Sequence, residues 1–235
     1  VYKKGSEGSM ILEVIATTVD DAKRAEAGGA DRLELITGIV EGGLTPSYAL
    51  IKHVVNQVKI PIHVMVRPHS QSFVYTIDDL KVMQQDIQTI RELGAAGVVL
   101  GTLMPDNHID FRALEALLTE TGHMHVTFHR AFDEVENQLE ALEQLLQYKE
   151  ITHILTSGGK SSALQAVDQI KTLVERTSST HLTILAGAGL TIDTVPTFVK
   201  ETGVREVHFG TGVRQNGQAL EPVDPQLVAL LKRKL

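Results

Sequence analysis

Eight short β-rich runs alternate with amphipathic helical stretches along most of the chain, and few architectures accept that pattern. The runs begin near Ile11, Arg32, Ile62, Gly97, His125, His153, Thr183 and Glu206. Their spacing of roughly 20 to 35 residues suits successive βα units. Thr45-Pro46 sets a cap residue before a proline at a first helical position. Thr76 with Asp79, and Asp133 with Glu136, read as capping boxes. Leu139, Leu142, Leu145 and Leu146 repeat at helical period. Gly28-Gly29, Gly94 and Gly203 each stand just before a strand, where glycine supplies a left-handed helix end. Eight such units within 235 residues match the size of a TIM (β/α)8 barrel. The rival is a doubly wound open sheet, which would carry a glycine-rich dinucleotide loop after its first strand. Here Ala16-Thr17-Thr18 follows that strand. No linker or low-complexity stretch interrupts the pattern. A single barrel domain over 10–235 is expected, preceded by nine polar residues, 1–9, that read as a tag or cloning scar.

Composition narrows the function classes. Hydrophobic residues make up 43%, which excludes a disordered chain. Cysteine is absent, which excludes a disulfide framework and any cysteine-ligated zinc or iron–sulfur site. With 29 acids against 22 bases and a formal charge of −7, a nucleic-acid surface is not expected. No apolar run approaches the ~20 residues of a membrane helix, so no membrane partner is expected either. The expectation is a soluble intracellular protein.

Strand parity points to a polar interior. Alternate residues of a barrel strand face inward, and their neighbours pack beneath the helices. Ile62, Val64 and Val66 form the apolar set of the third strand, so His63, Met65 and Arg67 point in. By the same rule His125, Thr127 and His129 line the barrel, as do His208, Glu13 and Glu34. Burying an unpaired charge is costly, so ionisable groups here need a reason. One reason is a structural network of mutually neutralising charges. The other is a ligand or catalytic pocket at the C-terminal mouth, where barrels of this kind keep their sites. Arg67, His129 and Ser157 fall at strand ends, which favours the pocket.

Glycine-rich turns follow the last strands: Ser157-Gly158-Gly159, Gly187-Ala188-Gly189 and Gly210-Thr211-Gly212. Ser157, Gly158, Gly187, Gly189 and Gly210 are therefore candidates for cradling an anionic ligand with backbone N–H groups, although tight βα turns need glycine without any ligand. Arg67 is the candidate anion clamp, and Arg130 has the outward parity of a surface pair or helix cap. The loop 68–75, with Phe73 and Tyr75, reads as a lid or as a cover for the barrel top. Ten histidines raise a metal hypothesis, with His129 and His208 as the pair that could meet across the barrel. Together with Glu13 and Glu34 they would suit a harder divalent ion. A Cu(I) site would prefer thiolates or thioethers, and only Met65 offers one from the interior.

Several blocks also resemble a known family. Gly29-Ala-Asp-Arg-Leu-Glu-Leu35, Gly42-Gly-Leu-Thr-Pro-Ser47, Met65-Val-Arg-Pro68, Thr127-Phe-His-Arg-Ala-Phe-Asp133 and Leu155-Thr-Ser-Gly158 look like the signature blocks of the CutC family, in the family's order. The resemblance implies a TIM barrel, a cytoplasmic setting, and copper homeostasis with copper as the implied ligand. Its shared polar positions here are Glu13, Glu34, Arg67, His129, Arg130 and Ser157. The family often carries cysteines after the first two strands' glutamates, where this chain has Ile15 and Ile36. The loop residues His69-Ser-Gln-Ser72 depart from the family pattern as well. Three functions therefore stand side by side. The first is a copper-homeostasis protein. The second is an enzyme for a small phosphorylated or carboxylated substrate, with His129 as acid or base, Arg67 as clamp, and Glu13 or Glu34 orienting or assisting. The third is a non-catalytic copper chaperone or partner-binding protein. A homodimer is the expected assembly.

Overall fold

The structure, a computed structural model, describes residues 10–235; the segment 1–9, read above as a tag or scar, lies outside the described residues. Eight parallel strands close into a barrel in sequence order, with β8 returning to β1. They are β1 (Ile11–Ala16), β2 (Arg32–Leu35), β3 (Ile62–Met65), β4 (Gly97–Leu100), β5 (His125–Phe128), β6 (Ile151–Thr156), β7 (Thr183–Ala186) and β8 (Glu206–Phe209). The outer ring is α1 (Val19–Ala27), α2 (Tyr48–Gln57), α3 (Ile77–Glu92), α4 (Phe111–Thr121), α5 (Gln138–Leu145), α6 (Val167–Thr177), α7 (Val195–Thr202) and α8 (Pro225–Lys234). This is the TIM barrel that the alternating pattern predicts.

The strand parity holds. Leu12, Val14, Leu35, Val64, Val126, Phe128 and Val207 are buried between sheet and helices. Met65 and Ile36 belong instead to a small separate apolar cluster with Val99, against which Ile15 and Ile39 pack. Three boundary expectations are corrected. β6 begins at Ile151, two residues before His153. α2 is capped by Ser47, whose hydroxyl accepts from the Leu50 N–H. Thr45 is used elsewhere: its hydroxyl accepts from the Arg67 backbone N–H at 2.9 Å, tying the loop to the end of β3. α5 is capped by Asn137 and not by Asp133, because the Asp133 carboxylate is engaged in a tertiary contact described below. The Thr76–Asp79 capping box forms as read.

Register brings the inward charges together. Glu13 stands opposite Arg32 on one neighbouring strand and His208 on the other. Glu34 stands opposite His63. A second buried ion pair, Arg214 Nη2 to Asp21 Oδ2 at 3.0 Å, fastens the segment after β8 to the start of α1. Asp21 also accepts from Thr17 and from the Val223 N–H, so its charge is fully used.

Candidate functional site

At the C-terminal mouth the barrel opens into a cavity of about 620 Å3. Its floor carries Glu34 and His208, its sides Arg67 and His129, and the loops after β7 and β8 contribute Gly189 and Gly210–Gly212. The apolar residues Ile15, Ile36 and Met65 complete the wall. A larger depression of about 980 Å3 lies at the opposite mouth. Its buried cation, Arg32, is already paired with Glu13 and with Glu206 Oε2 at 2.7 Å, so it has no free charge to offer a ligand.

Arg67 is different. Its side chain is 7% exposed, yet its described hydrogen bonds run to neutral carbonyls: Nη1 donates to Glu41 O at 3.0 Å and to Gly43 O at 3.3 Å. Its Nε is buried without a partner, and among the described residues no carboxylate pairs with it. The guanidinium carbon lies 4.7 Å from the centre of the Phe73 ring. A buried guanidinium held in shape by carbonyls and an aromatic face, but left without a counter-charge, attracts an anion.

Glu13, His208 and Glu34 form a column. His208 Nδ1 donates to Glu13 Oε1 at 2.8 Å, and its Nε2 stands 3.9 Å from Glu34 Oε2. Burial alone would raise the Glu13 carboxyl; the guanidinium of Arg32 and the His208 imidazole overcome it and hold Glu13 well below the usual carboxylate range. Glu34 lacks such a cation at contact distance. Burial, with the nearby Glu13 charge, pushes it up to about 7, against the opposing pull of His208 and Arg32. Burial opposes the charged form of His208, but Glu34 and Glu13 together raise it above the ordinary imidazole range. Glu34 Oε1 is buried with no partner. Glu13 itself stays behind the cavity wall and touches it through His208.

His129 takes a different form from the expected base. Its Nδ1 accepts from the Ala131 N–H at 3.2 Å, which leaves Nε2 as the protonated nitrogen. That nitrogen is buried without a partner. Burial, then the charge of Arg67, bring its pKa down to about 3. At neutral pH it is a neutral hydrogen-bond donor, not a proton acceptor. It also stands outside the donor cluster: among the described residues, the group whose atoms could share one ion is Glu13, Glu34 and His208, all within 4.8 Å of one another. His208 shares that cluster with the two carboxylates, and His129 is not part of it.

The glycine turns divide. Gly189 and Gly210 line the cavity, whereas Ser157, Gly158 and Gly187 do not. The turn after β6 already holds an anion of its own, the Asp133 carboxylate. It accepts from the Ser157 N–H at 3.0 Å, the Ser157 hydroxyl at 2.9 Å and the Gly159 N–H at 3.0 Å. The Gly158 N–H donates to Thr156 Oγ1 at 2.8 Å. Gly187 has another use, because a Cβ there would come within 3.1 Å of the His208 ring. Arg130 pairs with Asp133 at 2.8 Å, but not on the outer surface as its parity suggests: both residues line the cavity. Residues missing from the sequence expectations are Arg32 and Glu206. Each lies two positions before an inward residue, Glu34 and His208, so the same parity rule marks them.

Fold and site together define a (β/α)8 barrel with a mixed-charge pocket at its C-terminal mouth. The model of the CutC family matches residues 10–213, and the chain belongs to that family. A family protein CutC from Yersinia pseudotuberculosis serotype I (strain IP32953) is 42% identical over 201 residues, covering 86% of this chain and 78% of that protein. One from Proteus mirabilis (strain HI4320) is 39% identical over 201 residues, covering 86% and 79%. A crystal structure named for copper homeostasis, CutC from Streptococcus agalactiae, superposes with a TM-score of 0.80 at 33% identity, covering 85% of this chain and 97% of that one. A phosphoribosyl anthranilate isomerase from Thermococcus kodakaraensis matches with a TM-score of 0.62 at 17% identity, covering 96% and 98%, a likeness of fold alone. Among the described residues, no helix is long and apolar enough to cross a membrane.

Proposed function

We propose that this barrel binds a small phosphorylated or carboxylated molecule at its C-terminal mouth and moves a proton on it. The observation that carries this reading is Arg67, a buried cation facing a cavity without a carboxylate partner among the described residues. The anionic group sits against Arg67, and the loops bearing Gly189 and Gly210 supply backbone around it. Glu34 and His208 stand 3.9 Å apart, too far for a direct hydrogen bond, so both atoms are available to one ligand atom that approaches from the cavity. One of the two gives a proton while the other takes one. Glu13 holds the His208 tautomer through its Nδ1–H, and His129 donates from Nε2 to a developing negative charge. The proton-transfer role expected of His129 passes to Glu34 and His208.

Thermal shift and calorimetry with inorganic phosphate and small carboxylic acids test this. Wild type is expected to gain stability with ligand concentration, and Arg67→Ala to lose the gain. No ligand-dependent shift in wild type would overturn it. The cytoplasmic setting implied by the family resemblance, and a homodimer, belong to the same proposal; light scattering tests the second.

A second reading, a direct role in copper handling, draws on the name of the Streptococcus agalactiae relative. The donors here bear on which ion that could be. With no cysteine in the chain and Ile15 and Ile36 lining the cavity, a thiolate Cu(I) site does not fit these residues. An imidazole with two carboxylates suits a divalent ion, Cu(II) included.

A further inference from the structure

We infer that the cavity floor is a divalent-cation site in which Glu34 and His208 Nε2 are the protein ligands, Glu13 fixes the imidazole from behind, and the remaining positions are left for the bound anion. The inference rests on the anion-binding part of the reading above and, with the ion in place, gives Glu34 and His208 the role of ligands instead of proton donor and acceptor. Three features of this one cluster meet here. Donor atoms of Glu13, Glu34 and His208 converge within 4.8 Å. Glu34 is 2% exposed, lines the cavity, and has one carboxylate oxygen without any partner. His208 presents Nε2 to Glu34 while its Nδ1–H is taken by Glu13 at 2.8 Å, the carboxylate–imidazole arrangement that orients a metal-binding histidine.

The ligand chemistry selects the ion. One imidazole nitrogen and carboxylate oxygen, with no sulfur, favour a borderline or hard divalent cation such as Mn2+, Zn2+ or Cu2+. Metal–ligand bonds near ~2.1 Å bring ligand atoms to about 3–3.5 Å of each other, so the 3.9 Å gap closes by a small side-chain movement. Two protein ligands make a weak site alone. A phosphate or carboxylate that reaches Arg67 at one end and the ion at the other strengthens it, so cation and anion should bind cooperatively.

The experiment titrates the full chain with Mn2+, by electron paramagnetic resonance and calorimetry, with and without inorganic phosphate. Wild type is expected to bind one Mn2+ per chain, at least tenfold tighter in phosphate. Glu34→Gln and His208→Asn, checked for folding by circular dichroism, are expected to weaken Mn2+ binding at least tenfold. Arg67→Ala is expected to keep the Mn2+ affinity seen without phosphate and to lose the phosphate enhancement. Binding that Glu34→Gln and His208→Asn leave unchanged would place the ion on surface histidines and overturn the inference. Arg67-dependent phosphate binding with no saturable Mn2+ binding would overturn the metal while sparing the anion pocket. Mn2+ binding at Glu34 with no phosphate binding would overturn the cooperative site and the anion reading with it.

Discussion

Arg67 and Phe73 are stacked, guanidinium carbon to ring centre, at 4.7 Å, and the same Phe73 ring lies 4.7 Å from the His129 imidazole. One aromatic from the loop after β3 thus contacts both a buried cation and a neutral donor. The loop is tied down by the Leu103 N–H, which donates to Phe73 O at 2.8 Å. Arg67→Lys should therefore fail as a conservative change. A lysine keeps the charge but lacks the planar fork that bonds Glu41 O and Gly43 O while stacking on Phe73. The expected loss in affinity for phosphate is about 10- to 100-fold, from charge-assisted bonds worth roughly 1.5–3 kcal/mol. Calorimetry on the two proteins checks it.

Asp133 behaves as a built-in anion for the turn after β6. It satisfies N–H groups of Ser157 and Gly159 and the hydroxyls of Thr156 and Ser157. Asp133→Ala should cost about 2–4 kcal/mol, since several buried donors lose their acceptor together. Formate or acetate should restore part of the melting temperature in this variant and leave wild type unmoved. A melting temperature equal to that of wild type would show that the turn does not need the carboxylate.

The Arg214–Asp21 pair gives a second stability test. Both side chains are buried, and Arg214 also donates to Glu221 O at 2.7 Å. Arg214→Ala leaves Asp21 charged and unpaired and should cost roughly 3–5 kcal/mol. Adding Asp21→Asn should recover part of that loss. Urea unfolding of the single and double variants measures the coupling.

Acid stability should report the buried histidines. The His129 pKa falls from 6.5 to about 3, through burial and the charge of Arg67, and burial also lowers His63 and His125. Below pH 6.5 the unfolded chain takes up a proton at His129 that the folded chain refuses until about pH 3. The contribution of neutral His129 is thus complete above the unfolded value and is lost as pH falls through this window. Each such group steepens the loss by about 1.4 kcal/mol per pH unit. His129→Asn, which keeps an acceptor for the Ala131 N–H, should flatten the stability profile between pH 6 and pH 4 by about that slope. An unchanged slope in chemical denaturation would contradict the assignment.

The parts of this barrel governed by period were legible from sequence. Seven strands begin at the expected residue, and the inward parity of Glu13, Glu34, Arg67 and His129 follows from apolar neighbours that must face the helices. Arg32 and Glu206 obeyed the same parity and could have been marked by it. What local pattern could not carry was partner choice. Asp133 reads as a helix cap in its own segment, but a turn beyond the next helix outbids the cap for its carboxylate. The protonation state of His129 depends on a hydrogen bond two residues on and on Arg67 from another strand, neither of which is written in spacing. The turn Ser157–Gly159 looks like an anion cradle because Ser157 and Gly159 form one, and the anion is internal, whereas the Gly158 N–H goes to Thr156 Oγ1.

A crystal of the protein soaked in inorganic phosphate tests the anion pocket most directly. Density for phosphate within hydrogen-bond distance of the Arg67 guanidinium, inside the cavity shared with Glu34 and His208, and its loss in Arg67→Ala crystals, is the predicted result. Phosphate seated elsewhere on the surface, with the Arg67 side chain facing only water at saturating concentration, would contradict it.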